Sequence, residues 1–220
     1  MSRIDRAVIF DLDGTMFNTE ALFHKVSCDM LAARGKIFTD EIMQAMIGRR
    51  AVDAGHALKT MTGLEEPAEV LLAEVKERFY AELDSAVHPT PGLFVLLQHL
   101  ESRGIRRAVA TSSKRAYAEQ LIAAHGFLEH FTFIMTGDDV RHGKPDPEIY
   151  LESCRRLDLR PDRVIVLEDS PAGVESAKAA GTFAVGVPHR HSPAIGLKHA
   201  DMIVDRLDDP LLLARIDAVD

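Results

Sequence analysis

Tryptophan is absent from this chain, cysteine occurs twice, and aromatic residues make up only 6% of the 220 residues. Cys28 and Cys154 lie far apart and form neither a CxxC pair nor a zinc-finger spacing. That excludes a disulfide-stapled scaffold and reads as two thiols in a reducing compartment. No window approaches the ~18 apolar residues of a membrane span. The opening MSRIDRAVIF lacks the long apolar stretch of a signal peptide. These absences predict a cytoplasmic protein with no membrane partner. Basic charge is also in deficit: 26 Lys and Arg stand against 34 Asp and Glu, a formal net charge of −8. Non-specific nucleic-acid binding needs a basic face, so nucleic acid is excluded as an expected partner. Internal repeats and low-complexity tracts are lacking as well. The length suits one medium domain, or one domain with a small insert, acting as a monomer or weak dimer.

What is present is a series of short apolar runs. Residues 7–10 (AVIF), 105–110 (IRRAVA), 131–135 (FTFIM), 163–167 (RVIVL), 182–187 (TFAVGV) and 202–204 (MIV) read as strands. Their nearly continuous hydrophobicity fits strands buried on both faces, as in a parallel sheet. Helical patterns separate most of them. Leu93, Leu96, Leu97 and Leu100 form one apolar stripe ending at Gly104. DPEIYLESCRRL opens with Asp146 as N-cap and Pro147 at the first helical position, and SPAGVESAKAAG repeats the device with Ser170 and Pro171. Alternating strand and helix predicts an α/β fold, a doubly wound parallel-sheet (Rossmann-like) core.

One segment breaks the alternation. Leu22, Val26 and Met30, and then Leu71, Val75, Phe79 and Leu83, repeat every four residues between the first two strands. A single crossover needs far fewer residues than lie here. We therefore expect an inserted small α-helical cap domain over 18–86, with the core formed by 1–17 and 87–220. TMFN and VHPTPG are the expected hinges.

In open α/β sheets, ligands bind beyond the carboxyl ends of the strands. Polar residues collect there: Asp11 and Asp13 in VIFDLDGT, Thr111 and Ser112 in ATSS, Glu168 and Asp169 in LEDSPAG. Carboxylates converging at one edge describe a hard-cation site. Mg²⁺ takes one or two carboxylates plus waters and substrate phosphate, so Asp11, Asp169 and a backbone carbonyl near Asp13 are its candidate ligands. Lys144 in HGKPDP, on a loop stiffened by proline, supplies a cation for a phosphoryl oxygen. Thr111 and Ser112 precede a helix, whose free N–H groups make an anion site. Other readings fit worse. An EF-hand loop has its glycine at position six, whereas Gly14 falls at four. GDDVRHGKP differs from a Walker A loop by a longer spacer and by Pro145 in place of Ser or Thr.

DLDGT, ATSS, GKPDP and LEDSPAG, in that order, resemble the four motifs of the haloacid-dehalogenase-like hydrolase superfamily. The insert resembles the helical cap of one of its subclasses, nearest to the β-phosphoglucomutase and small-molecule phosphatase branches. IGRRAVDA taken with ATSS and RHGKPDPEIYL is also similar to pseudouridine-5′-phosphatases. The resemblance implies that Asp11 is a nucleophile forming an aspartyl phosphate and Asp13 an acid and base. It implies that Thr111 and Lys144 hold the phosphoryl oxygens, with Asp169 completing a Mg²⁺ site and Glu168 beside it. Ser112, Asn18 and Arg49 are further candidates for substrate contact. His24 and Lys76 read as surface residues of the cap, and His189 and His191 as an exposed polar turn.

The expected reaction is Mg²⁺-dependent hydrolysis of a small phosphorylated metabolite, a sugar phosphate or nucleotide-like monophosphate. The alternative is a β-phosphoglucomutase-type phosphomutase. Those mutases carry a cap histidine a few residues past the first motif; here that position falls on Phe23, with His24 one residue off. This departure favours hydrolysis. A dehalogenase is disfavoured because Asp13 is present. A catalytically dead binding module is disfavoured because Asp11, Asp13, Lys144 and Asp169 are all intact.

Overall fold

The computed structural model describes residues 5–46 and 51–218. Six parallel strands form one sheet: β1 (Ala7–Phe10), β2 (Arg106–Ala110), β3 (Ile134–Met135), β4 (Val164–Glu168), β5 (Phe183–Gly186) and β6 (Met202–Ile203). Their order is β3-β2-β1-β4-β5-β6. The chain winds outward from β1 on one side and then returns to its other side, so β1 and β4 flank the topological switch point. The α/β fold predicted from the strand and helix alternation is the fold observed. β1 and β4 are buried along their whole length, as expected for central strands covered on both faces.

Boundaries shift by a residue or so except at β3. There the run FTFIM predicts five residues of strand, and only Ile134 and Met135 are regular. A 3₁₀ turn at Leu128–His130 feeds the chain in at an angle. Hydrogen bonds from Thr132 N to Arg107 O and from Val109 N to Phe133 O still tie this edge to β2.

Among the described residues, four inserted helices follow β1: α1 (Thr19–Ala32), α2 (Asp40–Met46), α3 (Ala51–Thr62) and α4 (Ala68–Ala86); a fifth then leads into β2. The two four-residue repeats become the buried faces of α1 and α4, which pack together. α5 (Leu93–Ser102), α6 (Arg115–Ala124), α7 (Glu148–Leu157), α8 (Pro171–Ala179) and α9 (Pro210–Asp217) cover the sheet. Ser170 caps α8 as predicted, its hydroxyl accepting from Gly173 N at 3.0 Å. At α7 Pro147 rather than Asp146 occupies the cap position, while the Asp146 carboxylate accepts from Glu148 N at 3.0 Å. Proline has no N–H to lose there, and Asp146 satisfies the first free donor of the helix.

The two linkers between the inserted helices and the sheet run side by side. Asn18 N donates to His88 O (3.1 Å), Thr90 N donates to Met16 O (2.8 Å), and Phe17 bridges to Pro89. Among the described residues, no helix is long and apolar enough to cross a membrane.

Candidate active site

Parallel pairing sets Phe10 level with Val109 of β2 and Leu167 of β4. The next residue of each strand therefore reaches the same edge, and Asp11, Ala110 and Glu168 meet there. Asp11 N donates to Leu167 O at 3.0 Å, which extends the ladder by one bond past the strand. The chain then turns sharply through Gly14, whose φ is +84°. A Cβ on Gly14 would lie 2.4 Å from Asp169 Oδ2, so this glycine serves both the turn and the close approach of Asp169.

Lys144 is buried behind this edge. Its Nζ donates to Asp11 Oδ1 (2.5 Å), Glu168 Oε1 (2.5 Å) and Ala110 O (3.2 Å). Glu168 is wholly buried and fully engaged: Tyr150 Oη also donates to Oε1 (2.6 Å), and Ser170 N and Oγ donate to Oε2 (3.2 and 3.0 Å). Asp169 accepts from Thr15 Oγ1 (2.9 Å) and His189 Nε2 (3.0 Å). Asp13 accepts from Ser113 Oγ (2.7 Å) and Tyr117 Oη (2.8 Å). Thr111 Oγ1 accepts from Ser113 N at 3.0 Å, so the loop entering α6 is held before it presents its hydroxyls.

The electrostatics follow from burial. Burial raises the Asp11 carboxyl well above the ordinary range; Lys144 opposes that, while Glu168, Asp169 and Asp13 add to it. Asp169 is also raised by burial, with His189 pulling the other way. Burial and the adjacent Asp13 push the Tyr117 phenol up, and burial with Glu168 does the same for Tyr150, so both remain donors.

One carboxylate oxygen each from Asp11, Glu168 and Asp169 lies within 4.8 Å of the others. Three buried carboxylates against one ammonium leave two negative charges, which matches a divalent cation. The donors are all oxygen, as a hard ion requires. Asp11 and Asp169 are the residues that would hold it. Glu168, expected as a ligand beside them, stands in the same cluster and also accepts from Lys144, Tyr150 and Ser170. The Asp13 side chain lies outside the cluster.

A cavity of about 790 Å³ opens from this edge toward α1, α3 and α4. Asp11, Asp13, Thr111, Ser112 and Asp169 line its floor, and Phe23, Leu72, Phe79 and Tyr80 its roof. The expectations for Asn18, His189 and His191 need correction, and Lys76 shows a contact beyond its expected exposure. Asn18 does not face the cavity: its Oδ1 accepts from His88 N at 2.5 Å, so the amide locks the paired linkers. Lys76 is exposed, as expected for a cap residue, yet it lines the cavity with its ammonium 5.5 Å from the Tyr80 ring centre. His189 and His191 are no free polar turn, since His189 bonds Asp169 and His191 stacks on His24 at 4.5 Å. Arg49 lies outside the described residues. Glu20, unremarked in the sequence, also lines the cavity. Its carboxyl is raised by burial and then by Asp169 and Asp13.

Gly173 shows how tightly Glu168 is enclosed, because a Cβ there would lie 1.9 Å from the Glu168 carboxyl carbon. Overpacking a filled interior costs about 1–3 kcal/mol. Gly173→Ala is therefore expected to lower the thermal midpoint by about 5 °C, given ~2–4 °C per kcal/mol in a chain of this size. Calorimetry on the purified variant checks this, and an unchanged midpoint would contradict the packing described.

Fold and site together define the class, an α/β protein with a buried acidic edge under a helical roof. Comparison with known proteins narrows it: residues 8–187 match the family described as haloacid dehalogenase-like hydrolase, and the chain belongs to that family. It is similar to the validoxylamine A 7′-phosphate phosphatase of Streptomyces hygroscopicus subsp. limoneus, at 34% identity over 93% of this chain and 95% of the relative. It is also similar to a phosphorylated carbohydrates phosphatase of Thermotoga maritima, 33% identical over 83% of this chain and 85% of that one. Among solved structures, CbbY from Rhodobacter sphaeroides in complex with phosphate superposes with a TM-score of 0.77 at 28% identity, covering 97% of this chain and 99% of that one.

Proposed function

We propose that this protein is a Mg²⁺-dependent phosphatase that hydrolyses a small phosphorylated carbohydrate through an aspartyl phosphate on Asp11. The observation that carries the reading is Asp11, backed by the buried Lys144, at the floor of a cavity large enough for a sugar phosphate. Relatives named as phosphatases of a pseudo-sugar phosphate and of phosphorylated carbohydrates support the substrate class.

Lys144 occupies Oδ1 of Asp11, which leaves Oδ2 to attack phosphorus. As the Oδ2–P bond forms, the bond from phosphorus to the substrate oxygen breaks, and Asp13 delivers its proton to that oxygen. In the second half, water attacks the aspartyl phosphate, Asp13 takes a proton from it, and inorganic phosphate leaves with Asp11 restored. Ser113 and Tyr117 hold Asp13 in position for both transfers. Thr111 and Ser112 bind the phosphoryl oxygens, where charge accumulates during transfer. Asp11 and Asp169 would hold Mg²⁺, which would supply neutralisation of the phosphate and carboxylate charge.

Residues 18–86 act as the cap, covering the leaving group and excluding water. Phe23 lines the cavity while His24 packs against Phe38 and His191. The position used by a mutase histidine is thus apolar here, which favours hydrolysis over phosphoryl return to the sugar. We place the protein in the cytoplasm, as a monomer or weak dimer.

The test is phosphate release from a panel of sugar phosphates, nucleotides and pseudouridine 5′-phosphate, with Mg²⁺ and with EDTA, alongside glucose 1-phosphate isomerisation. Release from carbohydrate esters that stops on chelation is the expected result. Isomerisation primed by a bisphosphate, without release, would overturn it.

A further inference from the structure

His24 on α1, Asp40 at the start of α2 and His191 in the loop after β5 come together away from the catalytic floor. One ligand-type atom of each lies within 4.8 Å of the other two. They arrive from three separate stretches of chain, two in the inserted helices and one in the sheet-bearing part. The two imidazoles stack with centres 4.5 Å apart and planes at 22°. Stacking alone accounts for the ring pair, but not for a carboxylate beside it. A second observation points to a ligand: His191 Nδ1 is buried and has no hydrogen-bond partner among the described residues. Buried polar atoms of this kind are ordinarily satisfied by protein, water or an ion. The Cys28 Sγ lies 3.7 Å from His24 Nδ1, one helical turn along α1.

We infer that His24, Asp40 and His191 form a second metal site, one that takes a borderline divalent ion such as Zn²⁺. Two imidazoles and one carboxylate suit Zn²⁺ and disfavour Mg²⁺, which selects oxygen donors. Tetrahedral Zn²⁺ with bonds near 2.1 Å needs donors ~3.4 Å apart. Binding therefore requires the stacked rings to turn out of parallel so that a nitrogen of each faces the ion. Asp40 is exposed, which gives the ion a route in. Bound there, the ion ties α1 and the start of α2 to the loop after β5. That loop also carries His189 to Asp169, so the site is built into the wall of the catalytic centre. This inference does not depend on the phosphatase reading.

The experiment is calorimetric titration of the purified full chain with Zn²⁺ in a large excess of Mg²⁺, with thermal unfolding followed in parallel. One saturable site per chain and a higher midpoint with Zn²⁺ are expected. Losing an outer partner of a metal site costs ~10–100-fold in affinity. Losing a ligand should exceed that, so His24→Leu and Asp40→Asn are each expected to weaken binding by more than about 100-fold. Asp169→Asn changes the acidic cluster and removes none of the three proposed ligands, so it should leave Zn²⁺ binding intact. His191→Ala is the third ligand variant, and if it fails to fold the other two still decide. The absence of a saturable site overturns the inference. So does binding that survives both His24→Leu and Asp40→Asn, or binding abolished by Asp169→Asn.

Discussion

Asp11→Asn is expected to abolish phosphate release while leaving a folded protein. The amide keeps the shape of the side chain but cannot attack phosphorus, and removal of a covalent nucleophile costs at least about 10⁴-fold in turnover. Stability should change far less. Lys144 loses one partner but keeps Glu168 at 2.5 Å and Ala110 O at 3.2 Å. The variant also removes a buried carboxylate that Glu168, Asp169 and Asp13 all repel. These effects oppose one another, so the net change should stay within about 1–2 kcal/mol, below the ~3–5 kcal/mol of a buried charge left alone. Phosphate release and chemical denaturation on one preparation separate the two quantities. Retained turnover would sink the nucleophile assignment, whereas a collapse of stability would mean that Lys144 depends on Asp11 more than the geometry indicates.

Much of this site was legible in the sequence because its residues follow directly on buried strands. Once VIF and VIVL read as central strands, Asp11 and Glu168 had to emerge at the same edge, since parallel strands in one sheet end together. Lys144 was legible as a cation but not as a buried one. Only the folded chain shows that it reaches the substrate edge through Asp11 and Glu168. Tyr117 and Tyr150 were not legible at all. A tyrosine on the apolar face of a helix looks like packing until its hydroxyl is seen to meet a carboxylate, and Asp13 is 104 residues away from Tyr117. His189 failed differently. A histidine in a polar loop is ordinarily solvated, and nothing local shows that the loop after β5 folds back over Asp169. Asn18 misled because its short distance from the first motif suggested a substrate contact. The backbone pairing of the two linkers claims that amide instead.

Lys144→Met tests the centre from the opposite side, and its largest effect falls on stability. Asp11, Glu168 and Asp169 are each buried, and Lys144 is the ammonium that faces the first two. Methionine fills similar space without charge. Removing one partner of a buried ion pair costs about 3–5 kcal/mol because the remaining charges stay desolvated. Turnover should fall as well, but activity alone could not distinguish a lost phosphate contact from a collapsed floor. pH supplies the discriminating sign. Asp11 is already raised by burial with Lys144 opposing, so removing the ammonium raises it further. The folded variant then binds more protons than the unfolded chain, and its stability increases as pH falls from neutrality toward the ordinary carboxyl range. Adding Glu168→Gln should recover at least half of the lost stability, since it removes the carboxylate that Lys144 shared with Asp11, while leaving activity low. Denaturation of wild type, single and double variants at pH 7 and pH 5 measures this directly. A single variant within about 1 kcal/mol of wild type at pH 7, the range of a solvent-exposed pair, would show that the lysine does not hold this edge together.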